Sequence, residues 1–421
     1  MARLKFGAFL APHHPLGEHP MLQLRRDLDF AEHIDKLGYD EFWVGEHHST
    51  GWEMIASPEL FLAAAGERTH RIMLGTGVVS LPYHHPFNVA QRMVQLDHMT
   101  GGRVIFGTGP GALPSDAKAL RIEPIRQRDM QDEALGVIIR LMNGERVTHE
   151  TDWFALNEAA LPILPYQEHM QMATASSLSP SGMKLAGKYG IGVISIASNS
   201  TEGLQALPTQ WAFAEAAAAE HGKVADRSQW RVLMSFHLAE SKEQAKKEAV
   251  DGLQRWHNEY NVKVLGRPGA TRVDDKWALL DATDAGGSNG TGTAVIGTPD
   301  EMVAAIRALR ESTGGFGTMI GFVHDWADRE ATLRSWELFA RYVIPEINGY
   351  TRPMRASADY VEAHKAELMK SAGAAIVAQI KRDPKASEAF GITLAQRTQM
   401  GAGSSAAAGA ALGAKQEELA T

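Results

Sequence analysis

The chain alternates short apolar runs with longer stretches in which apolar residues recur every three to four positions. Short runs of this kind are typical of strands buried on both faces, and the longer period is typical of helices. The predicted strands cover residues 4–10, 41–45, 72–80, 104–108, 170–174, 191–196, 230–238 and 318–323. The predicted helices cover residues 22–37, 57–68, 86–99, 125–142, 181–188, 208–221, 242–260, 328–343 and a segment that begins at 298. Strand and helix alternate eight times over about 345 residues, which predicts an α/β fold of the (β/α)8 TIM barrel type with insertions. A doubly wound sheet is the structural alternative.

Three segments depart from this alternation. Residues 143–168 are less regular and are expected to form a hairpin or a lid. Residues 266–293 are rich in Gly, Asp and Thr, which predicts a mobile insertion and a candidate lid. We expect residues 1–350 to form the barrel and residues 351–421 to form a helical or flexible C-terminal extension. In that extension, a helix is predicted at 357–380 with Ser357 as its N-cap, and residues 401–413 are of low complexity.

Composition narrows the classes of function. Hydrophobic residues make up 44% of the 421 residues, enough for a full-sized core. The net charge of −8 is spread without a basic stripe, which argues against a nucleic-acid partner. The chain contains no cysteine, so disulfides and thiolate metal ligands are excluded. No apolar run approaches the roughly 20 residues of a membrane span, and the sequence opens directly into a strand, so a cytoplasmic protein is predicted.

Histidine pairs follow the first three predicted strands. The pairs are His13-His14, His47-His48 and His84-His85. The carboxyl ends of parallel strands share one face, which is where a parallel barrel keeps its active site, and imidazole exchanges protons near neutral pH. Neighbouring strand residues point to opposite faces, so one of His47 and His48 should face the site beside Glu46. The alternative for this segment is that these polar residues only bond loop backbone.

Prolines flank the other two histidine pairs. Pro12 and Pro15 enclose the first pair, and Pro82 and Pro86 lie on either side of the third. Each pair therefore either sits in a stiff turn or contributes one histidine to the pocket. His13 and His84 are the candidates for the pocket.

Two loops are candidate ligand-binding segments. Thr108 and Gly109 end the fourth strand in a glycine-rich turn, where a ligand could approach the backbone closely, although a tight turn explains the same glycines. Four serines lie between the fifth strand and its helix, at Ser176, Ser177, Ser179 and Ser181. Hydroxyls and N–H groups at the positive end of a helix suit a phosphate. Ordinary helix capping by Ser179 or Ser181 is the alternative.

From residue 4 to about 350, the order and spacing of these segments resemble the luciferase-like flavin monooxygenase family, whose members fold as TIM barrels. The resemblance is carried by Glu46-His47-His48, residues 75–82 with His85-Pro86, residues 101–109, the serine loop before 186–190, and residues 296–300. Within the family, the chain is most similar to the alkanal monooxygenase branch (the bacterial luciferase alpha subunit) and the limonene monooxygenase branch.

The resemblance implies roles for individual residues. His47 corresponds to the active-site histidine near the reactive C4a position of the reduced flavin, with Glu46 or His48 tuning it. Gly77-Val78 takes the place of a cis peptide beneath the isoalloxazine. Ser179 matches a phosphate-contacting serine, with Ser176, Ser177 and Ser181 as helpers. Gly109 and Pro110 stand where the luciferase has a reactive cysteine and a phosphate-binding arginine, so this chain must hold the phosphate differently.

The resemblance also implies a reaction. A separate flavin reductase would supply reduced FMN, and O2 would form a flavin C4a-hydroperoxide that oxygenates a small apolar organic substrate. FAD and F420 are the alternative cofactors, and a homodimer is implied. His13, Trp52, Tyr83 and His84 are candidates for the substrate pocket, although Trp52 and Tyr83 could equally serve packing. No Gly-x-Gly-x-x-Gly opens a βαβ unit, so no tight NAD(P)H site is expected.

Three other functions stay open at this point. An F420-dependent oxidoreductase would share the barrel and the third-strand motif. A metal-dependent barrel hydrolase would use the histidine pairs with His237 and His324-Asp325, although no metal is predicted. A non-catalytic partner subunit is the third alternative. The sequence does not choose a substrate, or decide between hydroxylation, epoxidation and Baeyer–Villiger insertion.

Overall fold

Parallel strands close into a barrel in the computed structural model, which describes residues 3–11, 13–196, 200–267, 269–287 and 292–391. The strands are β1 Lys5–Leu10, β2 Glu41–Val44, β3 Met73–Thr76, β4 Val79–Ser80, β5 Val104–Gly109, β6 Val147–Glu150, β7 Ala155–Ala159, β8 Gln171–Ser176, β9 Gly192–Ser195, β10 Trp230–Leu238, β11 Ala294–Gly297 and β12 Thr318–Phe322. The eight barrel strands run in the order β1-β2-β3-β5-β8-β9-β10-β12, and β12 pairs with β1 in parallel to close the barrel. The predicted TIM barrel is therefore confirmed.

Helices separate the strands. They are α1 Pro20–Leu37, α2 Pro58–Arg68, α3 Pro86–Met99, α4 Pro114–Ala119, α5 Gln127–Met142, α6 Ser181–Tyr189, α7 Thr201–Glu220, α8 Lys242–Arg255, α9 Lys276–Thr283, α10 Pro299–Thr313, α11 Arg329–Leu338, α12 Ile344–Asn348, α13 Arg352–Arg382 and α14 Pro384–Ala389. Two π-helical segments, Trp256–Val264 and Phe339–Val343, continue α8 and α11. Local signals fix several ends. Thr298 and Glu301 form a reciprocal capping box at the start of α10, and Gly38 ends α1 with a positive φ of 90°.

Alternate side chains of β2 belong to two different layers of the core. Phe42 and Val44 belong to the large apolar cluster that also includes helix residues, and Trp43 belongs to a second cluster with Phe9 and Leu233. Adjacent strand residues point to opposite faces, so the second cluster fills the barrel interior. The indole of Trp43 has room because Gly75 and Gly107 carry no side chain; a Cβ on Gly107 would lie 2.8 Å from its ring.

A buried ion pair lies where β2, β10 and β12 begin. Arg231 donates to Glu41 through Nε (2.7 Å) and Nη2 (3.0 Å). Trp43 Nε1 donates to Glu41 Oε2 at 2.9 Å, and the Arg231 guanidinium lies 5.2 Å from the centre of the Trp43 ring. Both charged residues are almost fully buried, and each finds partners that compensate for lost hydration.

The structure differs from the sequence predictions at several boundaries. The third predicted strand is broken into β3 and β4. Helix α7 begins before the predicted start at Pro208, because Ser200 caps the helix by accepting from the N–H of Gly203. The predicted insertion contains helix α9, and the short strand β11 follows it beside β10. Residues 143–168 include the antiparallel pair β6 and β7, so the hairpin expectation is confirmed.

By its internal contacts the chain divides into two units, Met1–Asn348 and Gly349–Thr421. In the second unit, α13 has no buried residue. It begins at Arg352, and the predicted N-cap at Ser357 is wrong, because Pro353 in the first turn starts the helix earlier. Residues 401–413 lie outside the described residues. Among the helices that the structure describes, none is long and apolar enough to cross a membrane.

Candidate active site

The predicted histidines lie in the loops that follow the first strands of the barrel. His13 follows β1, and Glu46, His47 and His48 follow β2. The third site segment is the short 3-10 turn Leu81–Tyr83 with His84, directly after β4. These loops extend from the carboxyl ends of the strands, and the contacts described below join them.

Glu46 is the centre of one group of contacts. Its side chain is buried, and Oε1 accepts from His48 Nε2 at 2.7 Å and from His84 Nε2 at 2.8 Å. The backbone N–H of Ser80 donates to Oε2 at 2.8 Å. Burial acts to raise the pKa of Glu46, but the hydrogen bonds from His48 and His84 outweigh it, and the pKa is lowered. The same bond to Glu46 raises the pKa of His48.

His47 lies between two other carboxylates. Its Nε2 is 2.7 Å from Glu53 Oε2, and its Nδ1 is 3.1 Å from Asp116 Oδ2. Asp116 also accepts from the His48 backbone N–H at 3.2 Å and from the Ser49 hydroxyl at 2.5 Å. Burial acts to raise the pKa of Asp116, and hydrogen bonds from His47 and Ser49 lower it overall. Both ring nitrogens of His47 therefore have an acidic partner.

Two of the predicted pocket residues lie against a buried tyrosine. His13 Nε2 is 3.0 Å from Glu53 Oε1, and the Tyr260 hydroxyl donates to the same oxygen. Trp52 is 4% exposed, and its ring centre lies 5.4 Å from that of Tyr260. The packing role that the sequence left open for Trp52 is thus present in the structure.

Tyr83 and His84 border an open cavity of about 460 Å³. Its lining also includes Met130, Trp153 and Arg121. The ring of Tyr83 lies 5.7 Å from that of His48, and its hydroxyl accepts from Gln127 Nε2 at 3.0 Å. Burial and the charge of Asp116 raise the pKa of Tyr83 to about 12, so the phenol stays neutral at ordinary pH. The cavity is of the size that small-molecule sites usually have.

The Gly77–Val78 peptide bond is cis, as the resemblance implied. A Cβ on Gly77 would lie 2.6 Å from Phe9 Cε2, and one on Gly109 would lie 2.5 Å from Val78 Cγ2. Packing within the protein therefore already requires both glycines. The Thr108 hydroxyl is buried and lies 3.5 Å from the Ala173 carbonyl oxygen.

The serine loop lies at the start of α6. Ser176 is 2% exposed, and its Oγ finds no hydrogen-bond partner among the described residues. Ser179 and Ser181 share a hydrogen bond of 2.8 Å, and Arg128 Nε donates to Ser181 Oγ at 3.2 Å. Ser177 is exposed. The capping alternative is wrong, because Pro180 occupies the N-cap and no side chain makes a capping hydrogen bond to the helix.

One group of side chains is compatible with the alternative of a metal-dependent hydrolase. The donor atoms of Glu46, His48 and His84 all lie within 4.8 Å of one another, which is a group that could hold a metal ion. The later-strand histidines make other contacts. His237 Nε2 is 2.9 Å from Glu248, and His324 Nε2 is 2.8 Å from Ser235 Oγ.

Three charged residues that contact the predicted site residues were not predicted themselves. Glu53 and Asp116 contact the predicted histidines, and Arg128 contacts the serine loop. Asp116 is 69 positions from His47, and Arg128 is 53 positions from Ser181. No motif spacing links residues so far apart. The sequence offers only a weak signal for Glu53, which follows His48 in the short loop between β2 and α2.

Comparison with known proteins agrees with the fold. The profile of the luciferase-like monooxygenase family matches residues 4–315. The 4-hydroxyprotoasukamycin monooxygenase of Streptomyces nodosus subsp. asukaensis is 49% identical over 376 residues, which cover 88% of this chain and 100% of the relative. The limonene 1,2-monooxygenase of Rhodococcus erythropolis is 46% identical over 379 residues, 87% of this chain and 96% of the relative.

A solved structure extends the comparison. The oxygenating constituent of 3,6-diketocamphane monooxygenase from Pseudomonas putida, a type II Baeyer–Villiger monooxygenase in complex with FMN, has a TM-score of 0.68 and 26% identity. The match covers 82% of this chain and 99% of that one. The family resemblance seen in the sequence is confirmed, and the chain belongs to the luciferase-like monooxygenase family, as an oxidoreductase that incorporates molecular oxygen.

Proposed function

We propose that the protein is the oxygenating component of a two-component, flavin-dependent monooxygenase. It would take reduced FMN from a separate flavin reductase and use O2 to oxygenate a small apolar organic substrate. The observation that carries the proposal is the set of imidazoles held on buried carboxylates at the carboxyl ends of the strands. Proton donors of this kind, in a partly enclosed site, suit the chemistry of this family.

The residues present fit a flavin phosphate. Ser176 offers a buried hydroxyl without a partner among the described residues, and Ser179 and Ser181 lie beside it in the chain. Arg128 supplies a positive charge at this loop. It would replace the phosphate-binding arginine that the luciferase has at the place of Pro110. Ser177 is exposed and is the weakest of the four predicted serines.

The backbone around Gly77, Val78, Thr108 and Gly109 would hold the ring system. When bound, reduced flavin supplies the two electrons that activate O2. FAD carries the same ring system and phosphate and is therefore compared directly with FMN in the binding test.

The proposed catalytic residues are His47, His48 and Glu46. His48 holds a proton on Nε2 against Glu46, and its raised pKa keeps a larger fraction of the ring protonated near neutral pH. His47 has an acidic partner at each nitrogen, so it can take up a proton without moving. Together they can keep a proton ready at the rim while bulk water is excluded.

The substrate is proposed to be small and mostly apolar. Two relatives are named for limonene and for diketocamphane, which are alicyclic compounds. His13, Tyr83 and His84 would contact the substrate directly, and Trp52 would support them through its packing against Tyr260. A screen should therefore include a cyclic alkene, a cyclic ketone and a phenol, one for each type of oxygenation left open by the sequence.

The test is an anaerobic titration of the purified protein with reduced FMN, followed by mixing with O2 in a stopped-flow spectrometer. We expect saturable binding and then a transient near-ultraviolet band that differs from oxidised flavin. His47→Gln should still bind the flavin but change the decay of the band. Absence of binding of reduced FMN and FAD would contradict the proposal and move the test to F420 in the same cuvette.

A metal-dependent hydrolase is the second candidate, because Glu46, His48 and His84 converge. In the structure these three groups satisfy one another by hydrogen bonds, which is an arrangement that requires no ion. Elemental analysis separates the two proposals: stoichiometric zinc or manganese that is lost in Glu46→Gln would favour the hydrolase.

A homodimer through α2 and α3 is part of the proposal. Leu60 on α2 is 71% exposed and Met99 on α3 is 51% exposed, so both helices present apolar side chains. Native mass spectrometry of the parent and of Leu60→Glu tests the assembly. A cytoplasmic location is proposed on the sequence grounds given above, and cell fractionation tests it.

A further inference from the structure

Glu53 is brought between two histidines by the backbone around it. The His14 N–H donates to the Trp52 carbonyl oxygen at 2.8 Å, and the His47 N–H donates to the Ile55 carbonyl oxygen at 3.1 Å. These two bonds pin the segment that carries Glu53 to the loops after β1 and after β2. The main chain on both sides of Glu53 is therefore held beside His13 and His47, within reach of the Glu53 side chain.

The two oxygens of Glu53 serve different partners. Oε1 lies 3.0 Å from His13 Nε2 and also accepts from the Tyr260 hydroxyl. Oε2 lies 2.7 Å from His47 Nε2, so the two groups are at ion-pair distance, but Oε2 has no hydrogen-bond partner of suitable geometry among the described residues. Glu53 is 5% exposed, and a carboxylate removed from water to this extent is costly unless such partners compensate for it. One acid thus joins the first and second histidine segments of the site.

Tyr260 connects this carboxylate to a segment outside the histidine loops. It belongs to the π-helical segment Trp256–Val264, is 1% exposed, and its ring centre lies 4.7 Å from that of His13. Shortly after it, the Arg267 N–H donates to the Asn261 carbonyl oxygen at 3.1 Å. The chain that leads into the 266–293 insertion is therefore anchored next to Glu53. π-Helical segments within α-helices occur frequently at functional sites.

We propose that Glu53 is a positioning residue, which holds the His13 and His47 rings through one carboxylate and ties them to the segment Trp256–Val264 through Tyr260. Its catalytic consequence rests on the proposed monooxygenase function. In the proposed function the histidines would contact the reacting molecules, and Glu53 would act through them. The arrangement couples the orientation of the two rings to the packing of the segment that precedes the insertion.

Several charged groups face His13, His47 and Glu53. His47 faces Glu53 and Asp116, and His13 faces Glu53 and lies close enough to His324 to affect it electrostatically. Glu53 also interacts with the Arg267 guanidinium, which adds a positive charge from the segment after Tyr260. Removal of the Glu53 charge takes away the acidic partner shared by both rings, whereas Asp116 continues to face His47 alone.

The first experiment needs neither flavin nor substrate. The histidine ring nitrogens are labelled with 15N, and their NMR signals are recorded at one pH in the parent, in Glu53→Gln and in the control Glu41→Gln. In Glu53→Gln the ring signals of His13 and His47 should move, because both rings lose their shared carboxylate partner. Glu41→Gln removes another buried carboxylate and should leave both sets of signals in place.

The second experiment measures turnover. Glu53→Gln should lower kcat roughly 10- to 100-fold, which is the usual size of an effect transmitted through an orienting partner, with KM changed less than about twofold. Glu53→Asp keeps a carboxylate at this position and should recover part of the loss. Tyr260→Phe keeps the Glu53 charge, so its His13 and His47 ring signals should match the parent while amide exchange in Trp256–Val264 becomes faster.

The possible results distinguish a failure of the Glu53 proposal from a failure of the proposed monooxygenase function. Unchanged His13 and His47 ring signals in Glu53→Gln, or equal changes in Glu41→Gln, would overturn the proposal. If Glu53→Gln does not fold, unchanged exchange in Trp256–Val264 of Tyr260→Phe would overturn it. A parent that fails to bind reduced flavin would remove the proposed function but leave the NMR result standing, so the two failures can be told apart.

Discussion

The two ends of the barrel both bury carboxylates, but they pair them with different cations. At the amino ends of the strands, Glu41 is bound by the guanidinium of Arg231 through two hydrogen bonds. At the carboxyl ends, Glu46 is bound by the imidazoles of His48 and His84. A guanidinium stays charged at any ordinary pH, whereas an imidazole changes charge near neutrality. One end is therefore fixed in charge, and the other end can exchange protons.

The cation paired with a buried carboxylate distinguishes structural from functional buried charge in this fold. Both groups are well partnered and nearly inaccessible, so burial alone does not identify the site. The cation paired with each carboxylate does identify the site, because only an imidazole can release and take up a proton near neutral pH.

The strongest test removes an imidazole from the carboxyl end. His47→Gln should lower kcat roughly 10²- to 10⁴-fold, because general acid–base groups contribute about that much. The unfolding midpoint should change little. His98→Gln, which replaces an exposed histidine on α3 that bonds the Leu164 carbonyl oxygen, is the control and should keep its activity. Equal losses in both variants would show that the effect is not specific to the site.

The corresponding test at the amino end removes the guanidinium. Arg231→Leu leaves Glu41 buried without its charged partner and should lower the free energy of unfolding by about 3–5 kcal/mol. Chemical denaturation measures this loss. Arg341→Leu, which breaks the exposed pair with Glu337, should cost less than about 0.5 kcal/mol. If Arg231→Leu altered the pH profile of the remaining activity, the division between the two ends would fail.

The carboxyl end should also give a pH-dependent contribution to stability. The lowered pKa of Glu46 stabilises the fold above its unfolded value of 4.5, and this contribution is lost as the pH falls through the folded value. The raised pKa of His48 stabilises the fold below its unfolded value of 6.5, and this contribution is lost as the pH rises through the folded value. Both contributions are fully present only between pH 4.5 and 6.5.

Glu46→Gln should therefore destabilise the protein most inside that window. A loss of about 1 kcal/mol is expected there, and it should shrink as the pH rises above the folded pKa of His48. Denaturation curves at pH 5.5 and at pH 8.5 make the measurement. A loss that grows toward alkaline pH would have the wrong sign and would contradict the assignment of His48 as the proton holder.

The smallest expected effect lies in the serine loop. Ser176→Ala removes the buried hydroxyl without a described partner and should raise the Kd for reduced FMN about fivefold, close to the value of one hydrogen bond. Ser177→Ala, at the exposed position, should raise it less than about twofold. Anaerobic fluorescence titration measures both. A larger effect at Ser177 than at Ser176 would contradict the prediction that the buried serine contributes more to flavin binding than the exposed one.

Much of the barrel could be predicted because its strands are continuous apolar runs with a local signature. The runs at 104–108 and 230–238, for example, fall within β5 and β10. The third strand was predicted as one unit because the apolar run continues through Gly77 and Val78, where the chain in fact turns away between β3 and β4. Local patterns report burial, but they do not report where a buried chain changes direction.

The site was predictable only where its residues are neighbours in the chain. Glu46, His47 and His48 are consecutive, and each of them has a contact in the site. Glu53, Asp116 and Arg128 are three charged residues among 92 in the chain, and nothing in their local sequence marks them. Their roles arise from contacts across many positions, which only the closed barrel creates.

The indole of Trp43 has a practical consequence for anyone who would alter the range of compounds this protein accepts. Gly75 and Gly107 leave the space that this ring fills, and the ring in turn donates to Glu41. A larger residue at either glycine would press on the indole and, through it, on the ion pair beneath. The barrel floor is thus a poor target for mutagenesis libraries, and variation is better placed in the loops above it, where changes of size can be absorbed.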